Sequence, residues 1–252
     1  MNEQTVIRAL ALPEGAVQAR RVPKKLLMES GTPTTADRRL VADGVEELQW
    51  VSALKPSTCG VAAYEDEQRA YLEIAVLTLA LRPNRKARRL VELVHRAIPY
   101  PVVLVSAQEG RVSLSLSHLR KSQAKSGMFV LDGPLTLAEL GEGAPAAAVD
   151  GFLRALALAQ QPAESLRSVY DGWMEAVVAY EAALVTGVFG RATSPGDAAA
   201  RREALEGCAR LEAEMRGLRT VAKGEARVRR LVELNLKLKE LEAAYAAWRA
   251  RL

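Results

Sequence analysis

Two cysteines, Cys59 and Cys208, are all that 252 residues contain. They lie far apart in the chain, so neither a disulfide framework nor a zinc site built on paired thiols is expected. Histidine is equally scarce, at His95 and His118, and aromatic residues make up only 5%. With so few rings, stacking along single-stranded nucleic acid has little to work with. No apolar run approaches the roughly 18 residues of a membrane-spanning helix. The opening MNEQTVIRALALPEG lacks the basic start and long apolar stretch of a secretory leader, which makes the cytoplasm the expected compartment. No glycine-rich loop precedes a Lys-Ser/Thr pair. The GEG at 141–143 lacks that lysine and a flanking strand and helix, so NTP hydrolysis is excluded; a dinucleotide fingerprint is missing too. No cofactor or metal is expected.

What is present is a chain with 49% apolar and 26% charged residues, ample for a core and ordinary for a globular protein. The net charge of +5 conceals three blocks: +6 over residues 1–131, −6 over 132–190 and +5 over 191–252. Blocks of this size are usually solvated faces, and they also permit docking between oppositely charged parts or onto partners.

Hydrophobic spacing divides the chain into an α+β part and a helical part. Thr34–Leu54 carries Leu40, Val41, Val45, Leu48 and Val51 at helical spacing behind cap oxygens on Thr34, Thr35 and Asp37, which predicts one helix. CGVAAYE and RAYLEIAVLTLAL predict two strands of a hairpin turning at Asp66-Glu67-Gln68. A second helix follows over 82–98 with the stripe Leu90, Val91, Val94 and Ile98, stopped by Pro99 and Pro101. VVLVSA (102–107), the turn Glu109-Gly110 and the alternating RVSLSLSHL (111–119) read as a hairpin, and MFVLDG (128–133) as a final short strand. The expected domain is α+β with a mostly antiparallel sheet over residues 1–143. Residues 144–190 read as helices packed on that body, AVDGFLRALALA (148–159) and 163–184, before a loop over 186–197.

Residues 191–252 read as two long helices folding back near Lys223-Gly224. In the last one Leu231, Leu234, Leu238, Leu241, Tyr245, Trp248 and Leu252 step by three and four without a break, a coiled-coil seam of about three heptads. Such a hairpin buries too little to be secure alone. Leu231, Leu234, Leu238, Leu241, Tyr245 and Trp248 are therefore the expected interface with a partner or a second copy.

Candidate chemistry is sparse. Hydrolysis of nucleic acid on a divalent cation needs converging carboxylates and a lysine. Glu65, Asp66 and Glu67 sit in a presumed turn, where acids serve solubility. Glu73 lies on a strand, but Ala75 occupies the position two residues on where a lysine would be wanted. The enzyme alternative is a nuclease-like site near Glu73 with Lys24, Lys121 or His95. His95 at a helix end and His118 among serines fit cap or surface roles better. Basic runs are the strongest polar feature. Arg85, Lys86, Arg88 and Arg89, with Arg227, Arg229 and Arg230 in the last helix, could contact phosphates without reading sequence, at the weak affinities of non-specific binding.

Placed in this order, several segments resemble the domain of unknown function 4391 family of bacteria. They are VPKKLLMESG, TTADRRLVADGVEELQWVSALKPST, EIAVLTLAL, VHRAIPYPVVLV, SLSHLRKSQ, the long stretch from FLRALALAQQ to VTGVF, and EARVRRLVELNLKLKELE. The family's sharpest positions correspond to Pro23, Lys24, Trp50, Glu73, His95, Ile98, Pro99, Pro101, Lys121 and Asn235. The resemblance implies an accessory component encoded beside helicase and DNA-methyltransferase genes in phage-defence or restriction-like clusters, and it carries over no catalytic residue. The combined expectation is a non-enzymatic adaptor whose partners are helicase or methyltransferase subunits or a second copy. Weak contact with DNA and no association with a membrane are also expected. The two alternatives are the nuclease-like hydrolase and a sequence-independent DNA-binding module.

Overall fold

Asn2 starts the first helix by accepting the amide of Thr5 at 3.0 Å, satisfying one of the donors a helix N-terminus leaves free. This helix, α1 (Glu3–Ala9), is followed by strand β1 (Val17–Arg21) and helix α2 (Lys24–Ser30), three elements that periodicity did not reveal. Each is short, and all five residues of β1 are exposed, so no apolar pattern marks it.

The expected single helix over 34–54 is two elements. Thr34 caps α3 (Thr35–Gly44) by accepting the Asp37 amide at 3.1 Å. The chain then leaves the helix at Gly44 and runs as a ten-residue strand, β2 (Val45–Leu54). Val45, Trp50 and Val51 favour strands. Pairing on both edges settles the matter, because β2 lies antiparallel between β1 and β5 (Ile74–Leu81). Ladders on both sides outweigh a helical spacing that is only locally consistent.

A short helix, α4 (Pro56–Cys59), precedes the small hairpin β3 (Tyr64–Glu65) and β4 (Ala70–Tyr71), which turns at Asp66 as expected but stands apart from the main sheet. Helix α5 (Ala87–Ala97) connects β5 to β6 (Val102–Gln108), and these two strands are the one parallel pair of the main sheet. The turn from β6 into β7 (Arg111–Leu116) places both Glu109 and Gly110 at positive φ, the arrangement that suits a tight hairpin. A second small ribbon, β8 (Leu119–Lys121) with β9 (Phe129–Leu131), follows. The strand at 129–131 is not the last one. β10 (Thr136–Leu140) returns to pair with β7 at the sheet edge, giving the order β1-β2-β5-β6-β7-β10.

One face of this sheet is covered by α2, α3 and α5. Leu27, Val41, Leu90, Leu93 and Val94 pack there on Leu48, Leu77, Leu79 and Leu104. Helices α6 (Ala146–Ala155) and α7 (Leu166–Thr186) follow, and α1 packs against β6, β7 and α6. Trp173 of α7 is fully buried and donates its indole N–H to the Leu156 carbonyl at 2.8 Å. The fold is α+β.

The last two helices are α8 (Pro195–Gly224), capped by Ser194, and α9 (Val228–Arg249). The turn between them falls where expected. Glu203 pairs with Arg251, Gly207 meets Trp248, Glu212 meets Tyr245 and Arg219 pairs with Glu242, a progression that makes the two helices antiparallel. Gly207 is required by this contact, since a Cβ there would lie 2.6 Å from the Trp248 ring.

The computed structural model describes all residues except Asn84, Lys125, Ser126 and Glu142. Asn84 in the Arg82–Arg89 run and Glu142 in GEG 141–143 thus lie outside the described residues. Two compact units are present, Met1–Val177 and Val178–Leu252, and the division falls inside α7. Among the described residues no helix is long and apolar enough to cross a membrane.

Candidate functional site

A dense polar network in the first unit joins the β3–β4 hairpin, the β8–β9 ribbon and the first half of α7. Asp66 builds its centre. One carboxylate oxygen accepts the amides of Gln68 and Arg69, at 2.8 and 2.6 Å, and so shapes the turn. The other accepts the Tyr64 hydroxyl at 2.7 Å. The Tyr64 bond and then the two amides hold this carboxyl below the usual range. Arg167 of α7 donates to the Tyr64 hydroxyl at 2.6 Å, stacks 4.8 Å over its ring and lies 3.5 Å from Asp66. Arg69 places two N–H groups on one oxygen of Asp132, which raises its own pKa further. Lys121 ties the two ribbons together through Glu65 at 2.7 Å and the Asp66 carbonyl at 2.9 Å.

Behind these ion pairs lies a row of rings. Tyr71 is fully buried, and its hydroxyl is 2.5 Å from Nδ1 of His118. Burial, and then the Asp171 charge, push the Tyr71 pKa far up, so its O–H stays protonated. The Asp171 carboxylate, an acceptor only, faces Nε2 at 3.4 Å, which places the proton of the neutral imidazole on Nε2 and leaves Nδ1 to accept the Tyr71 O–H. Burial lowers the His118 pKa, and Asp171 opposes that shift. Tyr170 closes the row. Its hydroxyl accepts the Ser117 amide at 2.9 Å and lies 2.8 Å from the Val102 carbonyl, anchoring α7 to β6. From Tyr71 through His118 to Asp171, exposure rises from 0% through 22% to 48% for the two outer side chains. Both ring nitrogens of His118 thus face a partner.

The four residues of the enzyme alternative do not converge. Among the described residues no hydrogen bond or ion pair joins any two of them. Glu73 is only 12% exposed and pairs with Lys55 at 3.0 Å. Lys24 reaches the Ala42 carbonyl at 3.4 Å. Lys121 belongs to the network above. His95 has neither a cap nor a surface role. It is 2% exposed on the inner side of α5, with Nε2 2.9 Å from the Ser115 hydroxyl, and burial lowers its pKa to about 3. Among the described residues no group of three or more His, Cys, Asp or Glu could hold a metal ion.

The basic run also divides. Arg82, Arg85, Lys86 and Arg88 are exposed. Arg89 is not free to meet a phosphate: its guanidinium places one N–H on each oxygen of Asp37, both at 2.9 Å, and a third on Glu92 at 2.9 Å. These bonds raise its pKa beyond the ordinary arginine value. In the last helix Arg229 and Arg230 both lean on Glu233, at 3.8 and 2.8 Å, and Arg227 occupies the N-cap of α9.

The heptad row expected at an intermolecular interface faces α8 of the same chain. Leu234 is buried, while Leu231, Leu238, Leu241, Tyr245 and Trp248 are half-buried. On α8 the facing residues Ala204, Cys208, Leu211 and Met215 are buried. A turn of three residues keeps the two helices at high effective concentration, so the row closes within the chain. The opposite side of α9 carries Val228, Val232 and Leu236, which are 76%, 53% and 58% exposed. The sequence reading missed both this outer row and the Tyr71–His118–Asp171 row. The i,i+4 spacing of the outer row is legible. So is Arg167 with Asp171, 3.7 Å apart. The pairing of Arg69 with Asp132, 63 positions away, is not.

No curated protein and no solved structure matches the chain. A family model described as a domain of unknown function (DUF4391) matches residues 10–244. That span takes in both units almost whole, and the chain belongs to the DUF4391 family.

Proposed function

We propose that this chain is a non-enzymatic accessory subunit of a bacterial DNA-modification or phage-defence complex, docking a helicase or methyltransferase subunit through the outer face of α9. The observation that carries this reading is the row Val228, Val232 and Leu236. A helix whose apolar seam already faces α8 gains nothing for folding from a second aliphatic row in water, and rows of this kind mark contact surfaces. The three- and four-residue steps of the seam support a coiled-coil hairpin as the rigid support for that face. The occupied state of Glu73, Lys121 and His95 favours a binding role over the hydrolase alternative.

Co-expression of the full chain with the helicase and methyltransferase subunits of its own gene cluster tests the proposal. The wild type co-purifies with one of them, and Val232→Asp/Leu236→Asp, folded by circular dichroism, does not. Equal recovery of the partner by both proteins sinks the docking role of this face.

A further inference from the structure

Beyond that docking role, we infer that the rim formed by Arg21, Lys24, Arg82 and Arg85 binds the phosphate backbone of a nucleic-acid duplex. Two short stretches, 21–24 and 82–85, meet at the junction where α3 ends and β2 begins. Lys24 donates to the Ala42 carbonyl and Arg82 to the neighbouring Asp43 carbonyl, each at 3.4 Å, so two cationic heads rest on consecutive peptide groups. The Arg82 amide donates to the Gly44 carbonyl at 2.9 Å. The stem of Arg85 lies 3.5 Å from where a Gly44 Cβ would stand. Gln108 fixes this loop by donating to the carbonyls of both Arg82 and Arg85, at 2.9 and 3.3 Å. The heads of Lys24 and Arg82 are thus tethered to the α3–β2 junction, and the backbone carbonyls of Arg82 and Arg85 to Gln108.

Charge at the rim is positive despite nearby acids. Glu47 lies 3.9 Å from Arg21, and Asp43 lies 3.8 Å from Arg39. At Lys24, burial and then the charges of Arg82 and Arg21 lower the pKa. Glu46 and Asp43 oppose them with smaller effect. Like charges held this close are relieved by a polyanion. Exposed Lys86 and Arg88 and the positive end of α5 extend the same potential. No aromatic residue occurs in 17–25 or 82–89, which favours backbone contact with a duplex over stacking on single strands. The surface differs from the run read off the sequence: Arg89 is withdrawn by Asp37, and Arg21 and Lys24 join from elsewhere in the chain.

The test is fluorescence anisotropy of a labelled DNA duplex of arbitrary sequence with the full chain over a salt series. Four phosphate contacts give a slope of log K against log salt of about −3.6, or about a hundredfold loss of affinity between about 50 and 200 mM salt. Arg21→Gln/Lys24→Gln/Arg82→Gln/Arg85→Gln should flatten the slope by about 3 to 4. Removing the same charge from α9 with Arg227→Gln/Arg229→Gln/Arg230→Gln/Lys239→Gln should leave it unchanged. The charge-preserving set Arg21→Lys/Lys24→Arg/Arg82→Lys/Arg85→Lys should keep most of the slope, which separates lost contacts from a damaged fold. Equal losses from the rim and the α9 sets overturn the inference. So does absence of binding at low salt, or rim-dependent binding to phosphatidylserine vesicles with none to the duplex.

Discussion

Acidification should destabilise the first unit, and His95 supplies a part of that loss that can be isolated. Its ring is 2% exposed, and burial lowers its pKa from the ordinary 6.5 to about 3. Between those two values the unfolded chain binds a proton at this position and the folded chain does not. Stability therefore rises with pH across that window, by about 1.4 kcal/mol per pH unit. The contribution is complete above about 6.5 and is lost as the pH falls toward 3. From pH 6.5 to 4.5 the loss is about 2–3 kcal/mol, a sizeable share of the ~5–15 kcal/mol that holds a typical domain together. Carboxylates titrate over part of the same range, so the diagnostic quantity is a difference. Urea unfolding of the wild type and His95→Gln at several pH values supplies it, since glutamine keeps an amide near the position of Nε2 and its bond to Ser115. The advantage of wild type over variant should shrink by about 2–3 kcal/mol over that interval. Parallel stability curves for the two proteins would refute the buried, neutral imidazole.

Three further outcomes are expected. Leu234→Ala should cost roughly 2–5 kcal/mol of hairpin stability in thermal or denaturant melts, and Leu238→Ala and Leu241→Ala less, because Leu234 is the buried member of the α9 seam; equal costs would contradict the packing described. Arg89→Gln should destabilise by about 1–3 kcal/mol, since it leaves the Asp37 carboxylate, 10% exposed, without its two charged donors; an unchanged melting temperature would show that the pair contributes nothing. Tyr71→Phe removes the O–H that favours neutral His118, so the histidine pKa measured by NMR should rise; a fall or no change would contradict the hydrogen-bond direction assigned here.

Long, strongly patterned elements were legible in the sequence. The stripe Leu90, Val91 and Val94 with its proline stop locates α5, VVLVSA locates β6, and the unbroken steps from Leu231 to Trp248 locate α9 and the side it turns to α8. Segments whose state depends on distant partners were not. β2 carries a helical spacing, and its strand state comes from neighbours about 30 positions away on either side. β1 has no apolar pattern at all. The polar network was hidden for the same reason. Lys121 and His118 could be singled out, but Asp66, Arg69, Asp132 and Arg167 became a site only when two ribbons and a helix met. His95 misled because position near a helix end says nothing about which face it occupies; Ser115 on β7 decides that.

We propose that the outer face of α9 docks a protein partner. The affinity of the full chain for the purified helicase or methyltransferase subunit proposed as its partner, by biolayer interferometry, is to be compared for wild type and Val232→Asp/Leu236→Asp. Burying two such aliphatic side chains is worth about 1.5–3 kcal/mol each, so the double variant should bind at least a hundredfold more weakly. Its melting temperature should stay near that of the wild type, because both side chains point away from α8. Binding of unchanged affinity by the double variant would contradict the account.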